Sequence, residues 1–251
     1  MIIRENSGSI AVLRMAHGKV SALDVEFCDA LTVSIGDIAR GSERALVITG
    51  TGTTFSAGVD LFRILKEGSA YLQRFLPSMD RLFRTLLTFP KPAVAAVNGH
   101  AIAGGCITAA ACDHRVMAAG PARIGVAELA VGVPFPMLLF EIVAARVERT
   151  RFRDLVNTGR VVEPAEGLAV GFVDEVVQAE TLLPRAIEVA ERLTTVPPKT
   201  FELTKRTFTA PLLARAQASL ELDAEVVTAW ESPSIHHHIR EYLEKTIGKP
   251  R

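Results

Sequence analysis

An α/β core over residues 1–190, followed by an all-helical region over 191–251, is the fold class that the sequence predicts. Short apolar runs rich in β-branched residues alternate with stretches of helical spacing, which is typical of crossover units in a parallel sheet. From about Leu182 onward only the helical spacing remains. The length agrees, because 251 residues suffice for one large domain or for one domain with an appendage.

The predicted elements of the first hundred residues follow one another with short connections. Each strand is a compact apolar run, whereas each helix shows apolar residues three or four positions apart. In chain order they are a strand at 10–15 (IAVLRM), a helix at 23–38, a strand that ends at Gly50, helices over 61–87 broken near Gly68 and Pro77, and a strand at 93–97 (AVAAV) closed by Asn98 and Gly99.

The composition describes a neutral, apolar chain. Lys and Arg number 28 and Asp and Glu number 28, so the net charge is zero and no global field favours nucleic acid or an anionic membrane as a partner. Hydrophobic residues make up 49% and charged residues 22%, a balance that can bury a large core and differs from that of a disordered chain. A mean hydropathy of +0.26 indicates apolar surface that is hidden between subunits.

The cysteines and the most apolar segment bear on the compartment. Cys28, Cys106 and Cys112 form no C-x-x-C pair, so we expect buried free thiols in a reducing, cytoplasmic setting. The first 15 residues lack the apolar stretch of a secretion signal. Residues 92–112 approach the length of a membrane span but contain polar residues and glycines, which predicts a strand, a turn and a helix instead. No membrane partner is therefore expected.

Two segments share one design, in which an apolar strand leads into a turn rich in Gly and Ala and a helix follows. The first turn contains Ala57, Gly58 and Val59, and the second spans 103–105. N–H groups at the start of a helix have no intrahelical partner, so two converging turns could hold one oxygen in an oxyanion hole. Such turns also occur for packing alone, and that interpretation stays open on these residues. A phosphate-binding loop does not fit, because neither turn has Gly-Lys-Ser/Thr and Phe55 occupies the third glycine position of a dinucleotide motif.

Together, these segments resemble the crotonase family, also called the enoyl-CoA hydratase/isomerase family. The resemblance is carried by FSAGVDL (55–61) and by NGHAIAGGC (98–106), which PKPAVAAV precedes. It extends over HGKVSALD (17–24), CDHRVMA (112–118), IGVAELAVGVP (124–134), the stretch 157–177 and a tail similar to the family's trimerisation helices. The resemblance implies a ββα spiral core over 1–190 that binds acyl-CoA, and a helical oligomerisation region over 191–251 of a homotrimer or a dimer of trimers.

The resemblance also implies which residues act on the substrate. In the family, a thioester carbonyl lies between two backbone N–H groups, and the matching positions here are Val59 and Gly104. Of the two glutamates that a hydratase of the family uses, one matches Glu128 and the other falls on Ile107, which cannot transfer a proton. CoA is part of the substrate, so neither a further cofactor nor a metal is implied. The positions that match CoA-binding segments are Lys19, Val20, Ala22, Ala57, Asp60, Leu61 and Lys245.

The missing second glutamate separates the candidate reactions. Hydration divides its work between two carboxylates, whereas one carboxylate can move a proton from C2 to C4 of a 3-enoyl-CoA. We therefore expect isomerisation of 3-enoyl-CoA to 2-enoyl-CoA with Glu128 as the single base. The apolar neighbours of Glu128 predict a raised carboxyl pKa, which suits this role. Hydration of 2-enoyl-CoA is the alternative, and a CoA-binding member without turnover is a third possibility.

Other polar residues have competing structural explanations. Glu141 could be a second acid, although a helix residue without chemistry is the favoured interpretation. His100 is expected to be structural, and Asp60 to cap a helix rather than to act as an acid. The histidines at 236–238 are consecutive, so a helix separates their side chains and they cannot share one metal ion. We expect them at a solvated helix end, and Tyr242 in a tail segment that reaches the CoA of a neighbouring subunit in some relatives.

Overall fold

Two parallel-stranded layers form the centre of the molecule in a computed structural model that describes residues 1–246, apart from the side chain of Arg149. The larger sheet has six strands, and all of its neighbouring strands are parallel except the first pair. Its strands, in spatial order, are β1 (Ile2–Ser7), β2 (Ile10–Met15), β3 (Ala45–Thr49), β5 (Ala93–Val97), β7 (His114–Ala118) and β9 (Glu175–Val177). The smaller, parallel sheet consists of β4 (Thr54–Ser56), β6 (His100–Ile102) and β8 (Ile124–Gly125).

Helices surround these sheets and alone form the chain after β9. They are α1 (Val25–Arg40), α2 (Leu61–Glu67), α3 (Ser69–Leu87), α4 (Gly104–Ala111), α5 (Glu128–Val131), α6 (Met137–Ala144), α7 (Arg149–Thr158), α8 (Pro164–Val170), α9 (Leu182–Leu193), α10 (Pro198–Ala218), α11 (Leu220–Trp230) and α12 (Pro233–Thr246), with a 3₁₀ turn at Ala179–Thr181. The predicted α/β core and helical C-terminal region are therefore confirmed. No helix within residues 1–246 is both long enough and apolar enough to cross a bilayer.

The predicted helix break at Gly68 is confirmed, but the break at Pro77 is wrong. Gly68 has a φ of 65° and separates α2 from α3. Pro77 lies inside α3 and is exposed, so the Gln73 carbonyl that loses its helical partner is also on the solvent side and can bond to water. The opposite face of α3 is buried in the core, for example at Phe75 and Leu82, and this packing maintains the helix across the proline.

A repeating unit explains how the fold builds its site. Each unit runs from a strand of the larger sheet to a short strand of the smaller sheet and then into a helix, as in β3–β4–α2, β5–β6–α4 and β7–β8–α5. Because β4, β6 and β8 are neighbours, the turns after them and the first residues of the following helices are brought to the same edge. The predicted ββα spiral is therefore present.

The two faces of the larger sheet pack on different helices. One face is covered by α9, whose Ala186 and Val189 share an apolar cluster with Val47, Ala96 and Val116 of the strands. The other face belongs to the main core, to which α1 and α3 contribute. The helical C-terminal region contacts this core through an ion pair, at 2.8 Å, between the buried Lys205 of α10 and Asp113.

Helix α4 is buried along its whole length, as its small residues predict. All eight residues of Gly104–Ala111 are buried, and Cys28, Cys106 and Cys112 are buried free thiols, as expected. Burial raises the pKa of the Cys106 and Cys112 thiols, so both remain protonated at neutral pH. At Gly105 an added Cβ would lie 2.2 Å from the Ser56 carbonyl oxygen, so the helix contacts the backbone of β4 directly.

Gly105→Ala is expected to lower the free energy of unfolding by about 2–4 kcal/mol, because the new methyl group can only be accommodated by moving backbone. Gly36→Ala in α1 is the matched control, since its Cβ would meet only the flexible end of Arg40 at 3.4 Å. That control should be neutral or stabilising by up to about 1 kcal/mol. Urea unfolding of both variants measures the difference, and equal stabilities would contradict the close packing of α4 on β4.

Candidate active site

The two glycine-containing turns are in contact. A Cβ added to Gly58 would lie 3.1 Å from the Gly104 nitrogen, and one added to Gly104 would lie 3.5 Å from the Gly58 Cα. The pairing of β4 with β6 sets this approach, because the turns follow directly after these strands. The convergence that the sequence left open is therefore present.

Both turns have backbone conformations that leave little freedom. Gly58 has a φ of 82°, and Ala103, at the N-cap of α4, has a φ of 50° with a ψ of −121°. A positive φ at a residue with a side chain costs on the order of 1–3 kcal/mol. The Ala103 N–H donates to the Gly125 carbonyl at 2.8 Å, a bond that helps to maintain this strained residue and joins the turn to β8.

The N–H groups of Val59 and Gly104 are free to bind an oxygen. Leu23 and Val59 are paired as in a parallel sheet by two hydrogen bonds. The Leu23 N–H donates to the Gly58 carbonyl at 2.7 Å, and the Asp60 N–H donates to the Leu23 carbonyl at 3.0 Å. Neither bond uses the Val59 N–H. The Gly104 N–H begins α4 and has no intrahelical acceptor. Over residues 1–246, neither N–H group donates a hydrogen bond to another part of the chain.

A cavity of about 600 Å³, measured to its open mouth, lies beside the two turns. Its walls are apolar apart from one carboxyl and one phenol group. The lining residues are Ala57, Val59, Leu61, Met79, Ile102, Ala103, Gly104, Ala127, Glu128, Val131, Val133, Pro134, Phe135, Pro136, Leu139, Trp230 and Tyr242. Such an apolar cavity with few polar groups is typical of a site for a small molecule or for part of one.

Glu128 is the carboxyl group of this cavity. It is the first residue of α5 and follows β8, whose pairing with β6 brings it to the turn at Gly104. The side chain is buried, and its Oε2 atom has no hydrogen-bond partner within the chain. Burial raises the pKa of Glu128 to about 8, which is near the range in which a carboxylate acts as a general base at neutral pH.

Two other positions could have supplied a second acid, and neither does so. Ile107 is fully buried within α4 and is not part of the cavity wall. Glu141 lies on α6, where its carboxylate forms an ion pair with Arg215 of α10 at 2.7 Å, and it also lies outside the cavity. Among the lining residues, Glu128 is therefore the single carboxylate.

The sequence profile described as Enoyl-CoA hydratase/isomerase matches residues 5–249. The chain belongs to the enoyl-CoA hydratase/isomerase family. Members of this family are enzymes, and the spiral of ββα units described above is the crotonase fold. The predicted family and fold class are confirmed.

Individual members of the family point to two reactions. The chain is 34% identical to a Thermus thermophilus protein assigned provisionally as an enoyl-CoA hydratase, over 97% of this chain and 98% of the relative. The structure of human mitochondrial delta3-delta2-enoyl-CoA isomerase has a TM-score of 0.92 and 28% identity, over 97% of both chains. A Mycobacterium tuberculosis structure, assigned provisionally as an enoyl-CoA hydratase, has a TM-score of 0.83 and 34% identity, over 89% of this chain and 95% of that chain. The family assignment therefore leaves the reaction open.

Only part of the predicted CoA-binding set lies in the cavity wall of this family member. Ala57 and Leu61 line the cavity, together with Val59. The Val20 carbonyl accepts from the Ala57 N–H at 3.0 Å, so the stretch 20–23 runs alongside the first turn. The carboxylate of Asp60 caps α2 by accepting from the Arg63 N–H at 3.0 Å, in agreement with its structural interpretation. The predicted residues outside the cavity wall are Lys19, Val20, Ala22, Asp60 and Lys245, of which Lys19, Val20 and Lys245 are exposed.

The histidines have structural surroundings. The His100 Nδ1 atom accepts from the Arg123 N–H at 3.1 Å, as expected for a structural role. His237 and His238 are exposed, but the expectation of a fully solvated helix end is wrong for His236. Its Nε2 atom is buried without a partner, because α12 packs against α2 and α5 instead of projecting into solvent. No group of three or more potential metal-ligating side chains exists in the described part of the chain.

The sequence analysis missed the far wall of the cavity. Met79, Leu139 and Trp230 come from α3, α6 and α11, which are far apart in the sequence. The Trp230 indole N–H donates to the Pro134 carbonyl at 3.0 Å and thereby holds the loop before α6. Each of these side chains looks like an ordinary core residue in its own helix, so no local pattern could have identified them.

Glu128→Gln is expected to stabilise the protein increasingly as the pH rises from 5 to 8. The folded state holds the Glu128 proton up to a pKa of about 8, whereas the unfolded chain loses it near 4.5, so folding becomes less favourable across this window by up to about 1.4 kcal/mol per pH unit. The glutamine variant has no such penalty. Thermal unfolding at several pH values measures the difference.

Glu26→Gln is the matched control for this measurement. Hydrogen bonds from Arg63 lower the pKa of Glu26 to about 2, so its ionisation is complete in both states above pH 5. Its stability difference from the wild type should therefore stay constant between pH 5 and 8. A Glu128→Gln difference that is equally constant would show that the Glu128 pKa is not raised.

Proposed function

We propose that this enzyme shifts the double bond of a 3-enoyl-CoA to the 2-enoyl position. The observation that carries the proposal is a single buried carboxylate in an apolar cavity, beside two converging N–H groups without acceptors. One base and one oxyanion site are what a 1,3-proton shift needs. The CoA thioester is the substrate, and the proposed reaction needs no further cofactor.

The proposed reaction moves one proton and one electron pair. The Glu128 carboxylate removes a proton from C2, and the C–H electrons form a C1–C2 double bond as the thioester C=O electrons move onto oxygen, while the C3–C4 double bond stays in place. In the intermediate, the negative charge is shared with the thioester oxygen, which accepts hydrogen bonds from the N–H groups of Val59 and Gly104. The protonated Glu128 then returns the proton to C4: the C3–C4 electrons form the C4–H bond, the C1–C2 electrons form the C2–C3 double bond, and the thioester carbonyl is restored. Charge and atoms balance without water.

The environment of Glu128 suits both halves of this cycle. With a pKa of about 8, the group binds a proton and releases it again at little cost near neutral pH. The apolar walls exclude water that would otherwise take the proton from the carboxyl group or protonate the intermediate. Hydration would need a second group to orient water, and the lining residues include no second carboxylate.

The position of CoA is proposed from the stretches 17–24 and 55–61. Backbone bonds pair residues 20–23 with 57–60, so Lys19, Val20 and Ala22 lie on the same side of the molecule as Ala57, Asp60 and Leu61. We place the pantetheine arm along this stretch and the exposed Lys19 beside the phosphates. Because the net charge of the chain is zero, attraction of the phosphates depends on a local cation such as this one. Lys245 on α12 is a second exposed cation for the same group.

Replacing Glu128 by Gln is expected to lower the rate of 3-enoyl-CoA isomerisation at least about 100-fold, because an amide cannot accept the C2 proton. Glu141→Gln is the matched control and should retain activity, since Glu141 lies outside the cavity. The absorbance of the conjugated 2-enoyl thioester measures both rates. For the wild type, kcat/KM should rise with pH and level off above about 8, as the carboxylate form becomes populated.

The same preparations distinguish the alternative reactions. Rapid formation of 3-hydroxyacyl-CoA from 2-enoyl-CoA would establish the chain as a hydratase and contradict the single-base proposal. Full isomerase activity in Glu128→Gln would exclude Glu128 as the base. Tight CoA binding without either reaction would indicate that the chain binds CoA without turnover and would contradict the proposed function.

We also propose that the chain assembles as a homotrimer or a dimer of trimers through its C-terminal helices. Among the described residues, five of the twelve exposed large apolar side chains fall within positions 196–222. They are Val196, Leu203, Phe208, Leu220 and Leu222, and Phe208 is 73% exposed. Exposed apolar side chains concentrated in one region of a chain favour a contact with another protein chain there.

Light scattering of the wild type is expected to give three or six times the mass of the chain. Phe208→Glu should reduce this mass, because it places a charge in the proposed contact. Val33→Glu on α1 is the matched control, as Val33 is 61% exposed but lies outside the C-terminal helices, and it should leave the mass unchanged. A monomeric wild type would exclude the assembly.

A further inference from the structure

A second cavity, open to solvent and about 680 Å³ in volume when measured to its open mouth, lies between α3, α6 and α11. Most of its wall is apolar, and its few charged groups come from α3 and α11. The lining residues are Leu76, Pro77, Met79, Asp80, Arg84, Pro136, Leu139, Leu220, Asp223, Val226 and Val227. Nothing in the proposed reaction uses this cavity.

The second cavity shares a wall with the catalytic cavity. Met79, Pro136 and Leu139 line both of them, so these side chains have one cavity on each side. Met79 is 2% exposed and Leu139 is 3% exposed, so the partition is closed in this structure. Its thickness is a single layer of side chains.

Met79 is the part of this partition that can move at the lowest cost. A methionine side chain is unbranched, has three rotatable bonds and fits irregular gaps, whereas a proline ring is fixed to its backbone. The backbone on the other side is anchored, because the Asp223 carboxylate accepts from the Met137 N–H at 2.7 Å and joins the start of α6 to α11. Met79 is therefore the side chain of this partition with the most freedom to rotate while the helices stay in place.

The chemistry of the second cavity fits a hydrocarbon chain. Leu76, Val226 and Val227 provide apolar walls, and the charged groups Asp80 and Arg84 are already paired with each other at 2.6 Å. Because Asp80 and Arg84 neutralise each other, neither of them favours a charged ligand in this cavity. An alkyl chain that left the catalytic cavity past Met79 would contact apolar side chains over several further carbons.

We propose that the two cavities form one acyl channel with Met79 as its movable partition, and that the enzyme takes acyl-CoA substrates with long, unbranched apolar chains. The carbons near the thioester occupy the cavity with Glu128, and the distal carbons occupy the cavity between α3, α6 and α11. This inference rests on the proposed function for the placement of the thioester at Val59 and Gly104. It goes beyond that function by assigning the substrate class and a second set of residues that recognise it.

Binding of saturated acyl-CoAs tests the channel without depending on turnover. Calorimetry compares butanoyl-CoA, whose chain ends near Glu128, with dodecanoyl-CoA below its micelle concentration. Full burial of a methylene group is worth roughly fourfold in affinity, so the wild type should bind dodecanoyl-CoA at least about tenfold more tightly even if the tail is only partly buried. Equal affinities in the wild type would overturn the proposal.

Two variants locate the tail. Val227→Trp and Leu220→Trp each fill the second cavity from a partly exposed position outside the catalytic cavity, so a general loss of folding is not expected. Leu220 also belongs to the proposed subunit contact, so its variant is compared with the wild type at equal mass by light scattering. Both should reduce the preference for dodecanoyl-CoA over butanoyl-CoA at least about fivefold. Thr228→Trp is the matched control, because Thr228 is an exposed neighbour on α11 that lines neither cavity, and it should keep the wild-type preference.

The outcomes separate the channel from the reaction. An unchanged preference in both cavity variants would show that the tail does not occupy the second cavity, whatever the reaction is. A preference that falls as expected, in a protein that does not isomerise any 3-enoyl-CoA, would support the channel and reject the proposed reaction. Loss of butanoyl-CoA binding to the same extent as dodecanoyl-CoA binding would indicate general damage and count against the tail position.

Discussion

The approach of two backbone turns is the constraint on which the site depends. Gly58 and Gly104 lie so close that a single added carbon would crowd the facing backbone, and only strand pairing between β4 and β6 brings them there. The larger sheet, the smaller sheet and the strained Ala103 all contribute to that approach. Val59 and Gly104, whose N–H groups have no acceptor among residues 1–246, then line a shared cavity, where donors fixed in place need no reorganisation when negative charge develops.

The electrostatics of the cavity follow from this arrangement. A buried carboxyl group with one oxygen left without a hydrogen-bond partner is costly to ionise, and the fold accepts this cost at Glu128. The same burial that raises its pKa also keeps water from the enolate intermediate and strengthens the hydrogen bonds that the two N–H groups donate to a thioester oxygen. Stability and reactivity are therefore opposed at this residue, which is typical of functional sites.

The sequence was sufficient for the parts of the molecule that short segments specify. The alternation of strands and helices, the two turns, the burial of α4 and the apolar setting of Glu128 are local patterns, and the structure has all of them. The predicted helix break at Pro77 was wrong because helix propensity is a local property, whereas the packing that maintains α3 involves distant parts of the chain. The far wall of the cavity was missed for the same reason, since Met79, Leu139 and Trp230 meet only in the folded chain.

Exchange of the C2 protons of butanoyl-CoA with deuterium from the solvent tests the central claim most directly, because it needs the base and the oxyanion site but no double bond. Mass spectrometry or proton NMR follows the exchange in the wild type and in Glu128→Gln. The account predicts exchange in the wild type at a rate that increases with pH up to about 8, and its loss in the variant. Tight binding of butanoyl-CoA without exchange at any pH would contradict it.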